Sequence, residues 1–152
     1  MSTKPVISPR GDLYDEDFLL WTQETARLLR SGRLDEVDIE YVAEEIEDMG
    51  KSQRRELESR LTTLLLHLLK WKHQPEKRNV GWQRTIDNQR EELSRVFRDS
   101  PSLRPTVPAS VIEVYPHAVK GARLETGLAR SAFPNRCPFT PNQILDEDFL
   151  PE

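Results

Sequence analysis

Three histidines, one cysteine and a run of carboxylates are the side chains with the clearest capacity for chemistry in this 152-residue chain. A zinc site made by protein alone needs three or four His, Cys or acidic ligands at suitable spacings. His67, His73 and His117 form no HExxH pair, there is no CxxC, and no Glu-x-x-His pair of the di-iron bundle type occurs. Glu113 and His117 stand four residues apart and could share a metal, but Pro116 lies between them, and a surface hydrogen bond is the simpler reading. His67 sits one turn before Trp71, at the edge of a leucine-rich face. It reads as a packed histidine with one satisfied nitrogen, with a ligand or acid–base role as the sharper alternative. Cys137 precedes Pro138 in a stretch without a nearby histidine, and no Gly-rich phosphate loop appears. No catalytic residue, metal ligand or cofactor is therefore assigned.

Glu44, Glu45, Glu47 and Asp48 could hold a divalent cation, because hard cations take carboxylate oxygens. On one helix, however, these side chains point in several directions. The favoured expectation is that Gly50 lets the chain turn, so that Glu44, Glu45 or Asp48 meets Arg54, Arg55 or Arg60. Arg54, drawn inward, would form a structural ion pair. The rival expectation keeps the acids for a ligand. Residues 12–50 hold thirteen Asp and Glu against three Arg, a net of −10, while residues 51–98 hold twelve Lys and Arg against six acids, a net of +6. The basic half, with Lys70, Trp71, Lys72, Arg78, Trp82, Arg84 and Arg90, has the interleaving that can hold phosphates and stack bases. Trp71 and Trp82 fall on inward stripes, though, and the acidic half would repel nucleic acid. Internal neutralisation of one half by the other is the simpler expectation.

These side chains must be positioned by helices. The run Leu57–Trp71, LESRLTTLLLHLLKW, places Leu57, Leu61, Leu64, Leu65, Leu68 and Leu69 on one face with Trp71. That arc is wide enough to need partners on several sides, and it is too short and too interrupted by polar residues to span a membrane. It reads as the central helix, about 52–73, of an all-α bundle. Residues 1–11 form a loose arm, and residues 12–152 a single helical domain of about five helices plus a short C-terminal one. A first helix runs from about Asp15 to Ser31, capped by Asp12 or Asp15, with Phe18, Trp21, Thr22, Thr25, Leu28 and Leu29 inward and Leu20 outward. A second runs from Asp38 to Met49, with Ile39, Val42, Ala43, Ile46 and Met49 inward and a break at Gly50; one helix kinked there is the alternative. The next runs from Asn79 to Arg98. One helical turn near 101–105 and a helix over about 108–126, kinked around Pro116, follow. Thr140-Pro141-Asn142-Gln143 is a capping box that starts the last helix.

Tyr14-Asp15-Glu16-Asp17-Phe18 with Trp21, then Val42-Ala43-Glu44-Glu45-Ile46-Glu47-Asp48-Met49-Gly50, Glu58-Ser59-Arg60-Leu61, His67-Leu68-Leu69-Lys70-Trp71, Cys137-Pro138 and Ile144-Leu145-Asp146-Glu147-Asp148-Phe149 occur in that order. In this combination the chain resembles a bacterial family catalogued as domain of unknown function 29. The resemblance implies a compact helical protein and brings no established activity or catalytic residues. That family's pattern has an uninterrupted helix where this chain carries Pro105, Pro108 and Pro116.

With 32% charged residues, one cysteine and no apolar run within MSTKPVISPRG, the expectation is a cytoplasmic protein with no membrane span and no internal disulfide. By elimination, a non-catalytic protein-interaction or assembly module, self-association included, is the favoured class. Nucleic-acid binding through the 51–98 half and a metal-dependent enzyme using His67 or Glu113/His117 are the alternatives.

Overall fold

A computed structural model describes residues 12–152; the arm expected over residues 1–11 lies outside the described residues. Six α-helices and no strand occur among the described residues, as stripes of helical period require. They fall into two compact units, one ending at Lys51 and the other running from Ser52 to Glu152.

The first unit holds α1 (Asp12–Glu16), α2 (Phe18–Arg30), a 3-10 turn (Leu34–Glu36) and the start of α3 (Ile39–His73). The single helix expected from about Asp15 is two. Asp17 leaves the helical region and its carboxylate accepts the Leu20 amide at 3.0 Å, so it, rather than Asp12 or Asp15, caps α2. Gly32, at φ 71°, supplies the left-handed residue that ends it. Trp21, Thr25 and Leu28 are buried along the expected stripe, but Phe18 and Leu29, placed on the same stripe, are 50% and 42% exposed. Leu20 points outward as its position predicts, 48% exposed. Asp38 caps α3, accepting the Tyr41 amide at 3.3 Å.

α3 runs unbroken for 35 residues, about 50 Å at the helical rise. The break expected at Gly50, and with it a central helix beginning at about 52, does not form. A glycine ends a helix by adopting positive φ, which Gly32 and Gly127 do and Gly50 does not. Strong helix formers surround it, among them Glu47, Met49, Lys51, Gln53, Arg54 and Arg55, so one glycine costs about 1 kcal/mol without stopping propagation. Asp48 and Lys51 pair across it at 4.0 Å. The stripe assigned inward also lies open: Ile39, Ile46 and Met49 are 65%, 63% and 69% exposed. Of that stripe Val42 is half-buried, and Tyr41 and Glu45, which lie off it, are half-buried with it.

In the second unit the remainder of α3 is the core helix the sequence predicts. Leu57, Leu61, Leu64, Leu65, Leu68 and Leu69 have no exposure at all, and each such burial contributes on the order of 1.5–3 kcal/mol. α4 (Val80–Asp99) starts at Asn79, whose side chain accepts the Trp82 amide at 2.9 Å. A 3-10 stretch (Pro101–Thr106) leads into α5 (Val107–Thr126), which Gly127 terminates at φ 74°. Val111, Val114, Tyr115, Ala118 and Ala122 are buried, and Pro116 sits inside α5 on its exposed side with His117. At Gly121 the side chain of Leu66 comes so close that a Cβ would overlap it. α6 (Pro141–Leu145) carries the complete capping box between Thr140 and Gln143.

One buried cation organises the end of this unit. Arg90, 2% exposed, donates from Nε to the Ile144 carbonyl at 2.9 Å, from Nη1 to Phe149 at 2.7 Å and from Nη2 to Gln143 at 3.2 Å. Two of these acceptors belong to α6, whose final carbonyls, like those of any helix, have no donor within the helix. Burial lowers the Arg90 pKa, and the nearby carboxylates of Asp146, Asp87 and Glu147 oppose that shift.

Candidate functional site

The acids of α3 do not converge. Glu44 and Asp48 are exposed, whereas Glu45 is half-buried and accepts the phenol hydroxyl of Tyr14. That hydrogen bond, reinforced by burial and by the charges of Glu45, Glu44 and Asp48, pushes the Tyr14 hydroxyl up to about 12. Arg54 is exposed and lies further along the same continuous helix, so the fold-back that would bring it to Glu44, Glu45 or Asp48 is missing. Arg55 is exposed too, and Arg60 pairs with Glu56 at 3.4 Å and Glu92 at 3.6 Å within the second unit.

Tyr14 is the centre of an aromatic cluster. Its ring stacks on Tyr41 (4.6 Å, 25°) and meets Trp21 and Phe18 edge-on at 4.9 and 5.6 Å. Trp21 Nε1 and Thr25 Oγ1 are buried here with no hydrogen-bond partner among the described residues. Around this cluster the surface is unusually apolar. Eleven large apolar side chains are exposed among the described residues, and eight of them lie between Phe18 and Met49. Scattered exposed leucines mean little, but here they are concentrated within residues 12–50, the stretch of net charge −10.

The histidines are dispersed. His67 is half-buried, and Nδ1 lies 2.9 Å from the Thr63 carbonyl and must therefore carry the hydrogen; burial lowers its pKa against that bond. His73 packs edge-on against Phe133 at 4.9 Å, and burial lowers its pKa as well. Glu113 and His117 are both exposed on α5. Among the described residues no group of three or more His, Cys, Asp or Glu gathers where a metal could be held.

Part of the basic half is engaged by its own unit. Arg90 is buried, Lys70 is held by Glu125 at 3.5 Å, Arg95 by Glu91 and Glu92, and Arg78 donates to the carbonyls of Trp71 and Pro151. Trp71 and Trp82 are half-buried rather than inward, a correction to their expected placement. The Arg78 guanidinium lies 5.2 Å from the Trp71 ring centre and the Lys70 ammonium 4.5 Å from that of Trp82, so a cation already occupies one face of each. Lys51 pairs with Asp48 in the first unit, and Arg60, Lys70, Arg78, Arg90 and Arg95 meet acids or carbonyls of the second.

An apolar groove of about 560 Å³ between α5 and the residues before α6 is lined by Pro108, Val111, Ile112, Tyr115, Cys137 and Phe139, among others. The Tyr115 hydroxyl donates to the Pro134 carbonyl at 2.7 Å, and burial, ahead of the neighbouring Cys137, pushes it up to about 12. Burial also raises the Cys137 thiol, the opposite of what a nucleophile needs.

Sequence reasoning missed Tyr14 as the partner of Tyr41 and Glu45 on the acidic helix, and Arg90 as a core cation. The Arg90 signal was present, since Ile86, Arg90, Leu93 and Phe97 recur at helical spacing. No helix among the described residues is long and apolar enough to cross a membrane. No curated protein and no solved structure matches the chain. A model of the family described as "Domain of unknown function DUF29" matches residues 13–150, across both units and nearly the whole length, and the chain belongs to that family.

Proposed function

We propose that this chain is a non-catalytic, bacterial, cytoplasmic protein-interaction or assembly module, that residues 12–152 act together as one domain, and that the acidic first unit carries its contact surface. The observation behind this reading is the placement of eight of the eleven exposed large apolar side chains between Phe18 and Met49, in the most acidic part of the chain. Glu44 and Asp48 serve it as exposed acids that select a partner, since charge complementarity sets specificity and encounter rate. The second unit, with its buried leucine face, supplies stability. A family match running through both units supports treating them as one module. Nucleic-acid binding fits less well, because Trp71 and Trp82 already carry a cation on one face and Arg60, Lys70, Arg78, Arg90 and Arg95 are engaged internally. A metal-dependent reaction at His67 or at Glu113 and His117 fits less well, because neither has the further ligands it needs nearby.

In-cell photo-crosslinking tests the proposal. A photoreactive residue placed in turn at Leu19, Leu29 and Leu34 is expected to give a discrete adduct identifiable by mass spectrometry. The same residue at Leu124, exposed on the second unit, is expected to give none. Absence of an adduct from all three positions, or indiscriminate labelling from all four, refutes the reading.

A further inference from the structure

We infer that the open face of α3 between Ile39 and Met49 is a docking seam for one amphipathic α-helix of a partner protein, apolar on one side and flanked by lysine or arginine. The inference rests on the reading of the chain as an interaction module and names the partner's chemistry. Ile39, Val42, Ile46 and Met49 are spaced three, four and three residues apart, the repeat by which two helices pack along a shared seam. Their exposure shows that the described residues leave most of this seam uncovered: Ile39, Ile46 and Met49 are each about two-thirds exposed. The unit instead uses Tyr41 and Glu45, which meet Tyr14. Ala43 and Gly50, seven residues apart, edge the seam with the smallest side chains, and a Cβ built on Gly50 meets nothing within 4 Å. A second backbone can therefore come close.

Charge selects the occupant. Residues 39–49 carry five carboxylates, Glu40, Glu44, Glu45, Glu47 and Asp48, and no Lys or Arg. Glu40 and Glu47, both exposed and seven residues apart, run beside the apolar row, within reach of long cationic side chains on a docked helix. A second copy of this segment would bring the same carboxylates against these and none of the cations needed, and like charges in such a seam disfavour pairing. An anionic lipid surface is repelled for the same reason. A basic amphipathic helix satisfies both the apolar row and the acidic flank.

The test uses the full chain and two fluorescein-labelled three-heptad peptides with an identical apolar face, one flanked by lysine and one by glutamate. Anisotropy is expected to show saturable binding of the lysine peptide that weakens as salt rises, and none of the glutamate peptide. The double variant Ile46→Gln/Met49→Gln should weaken binding at least tenfold with an unchanged helical circular dichroism spectrum, because both side chains are exposed. Glu40→Lys/Glu47→Lys should transfer the preference to the glutamate peptide. Equal binding of both peptides, or lysine-peptide binding that Ile46→Gln/Met49→Gln leaves intact, overturns the seam. A sedimenting dimer that Ile46→Gln/Met49→Gln converts to monomer also overturns it, by giving the seam to a second copy, while the interaction-module reading survives. If neither peptide binds, the chain stays monomeric and no adduct forms at Leu19, Leu29 or Leu34, both fall together.

Discussion

Replacing Arg90 should release the C-terminal segment. Its three hydrogen bonds run from one buried guanidinium to the carbonyls of Gln143, Ile144 and Phe149, all at 3.2 Å or less. Hydrogen bonds from a charged donor contribute about 1.5–3 kcal/mol each, so the three set an upper bound of roughly 4.5–9 kcal/mol. The full bound is not reached, because the segment can detach and let water solvate the freed carbonyls. What then limits the loss is the apolar anchoring given up: Ile144 is wholly buried, and Phe149 and Leu150 pack against the same core. Arg90→Met keeps comparable bulk and removes every donor. The expected loss is about 3–5 kcal/mol, the range for breaking one side of a buried charged interaction. Arg90→Lys should recover little, since an ammonium is a point donor and cannot present the planar fork that reaches three separate carbonyls. Equilibrium urea unfolding followed by far-UV circular dichroism gives the magnitude, and native-state hydrogen exchange gives the location. Amides between residues 141 and 150 should lose protection before those of α3. A stability change for Arg90→Met below about 0.5 kcal/mol, the scatter of ordinary surface substitutions, with protection of that segment intact, would refute the assignment of Arg90 as its clamp.

Gly50→Ala should raise stability by about 0.5–1 kcal/mol in a thermal or urea melt, because the site is mid-helix with open space around it; a loss would mean that a turn forms there. Arg54→Ala should change stability by less than about 0.5 kcal/mol, and a double-mutant cycle with Asp48 should show no coupling above about 0.3 kcal/mol; larger values would restore the structural ion pair. Leu64→Ala and Leu68→Ala should each cost about 2–5 kcal/mol by leaving a cavity in a closed core, whereas Leu20→Ala should cost far less; equal small losses would show that α3 is not buried there. Burial lowers the pKa of His67 and His73 in the fold, so the unfolded chain binds protons first and stability falls as pH drops from about 7 towards 5. The double variant His67→Gln/His73→Gln should flatten that slope in urea melts at stepped pH, and an unchanged slope would place the acid sensitivity elsewhere.

The extent and burial of the leucine face, the Asn79 cap, the left-handed stops at Gly32 and Gly127 and the Thr140–Gln143 capping box are local matters of periodicity and cap chemistry, and the sequence by itself determined them. Whether Gly50 breaks a helix is also local, but it depends on a balance of about 1 kcal/mol against strong neighbours, and the turn expected there lost that balance. Which of two amphipathic faces of α3 turns inward between Ile39 and Met49 is not local. Periodicity counts only α3's own side chains, and Ile39, Ile46 and Met49 form the more apolar row. The fold instead turned Tyr41 and Glu45 inward, because the ring and hydroxyl of Tyr14, brought up by α1, fit them. Arg90 shows the same limit from the opposite side. Its spacing put it in the core, but an arginine is stable there only where acceptors meet each nitrogen of its guanidinium. Those acceptors are backbone carbonyls more than fifty residues further along the chain, which no side-chain pattern encodes and only the tertiary structure brings to it.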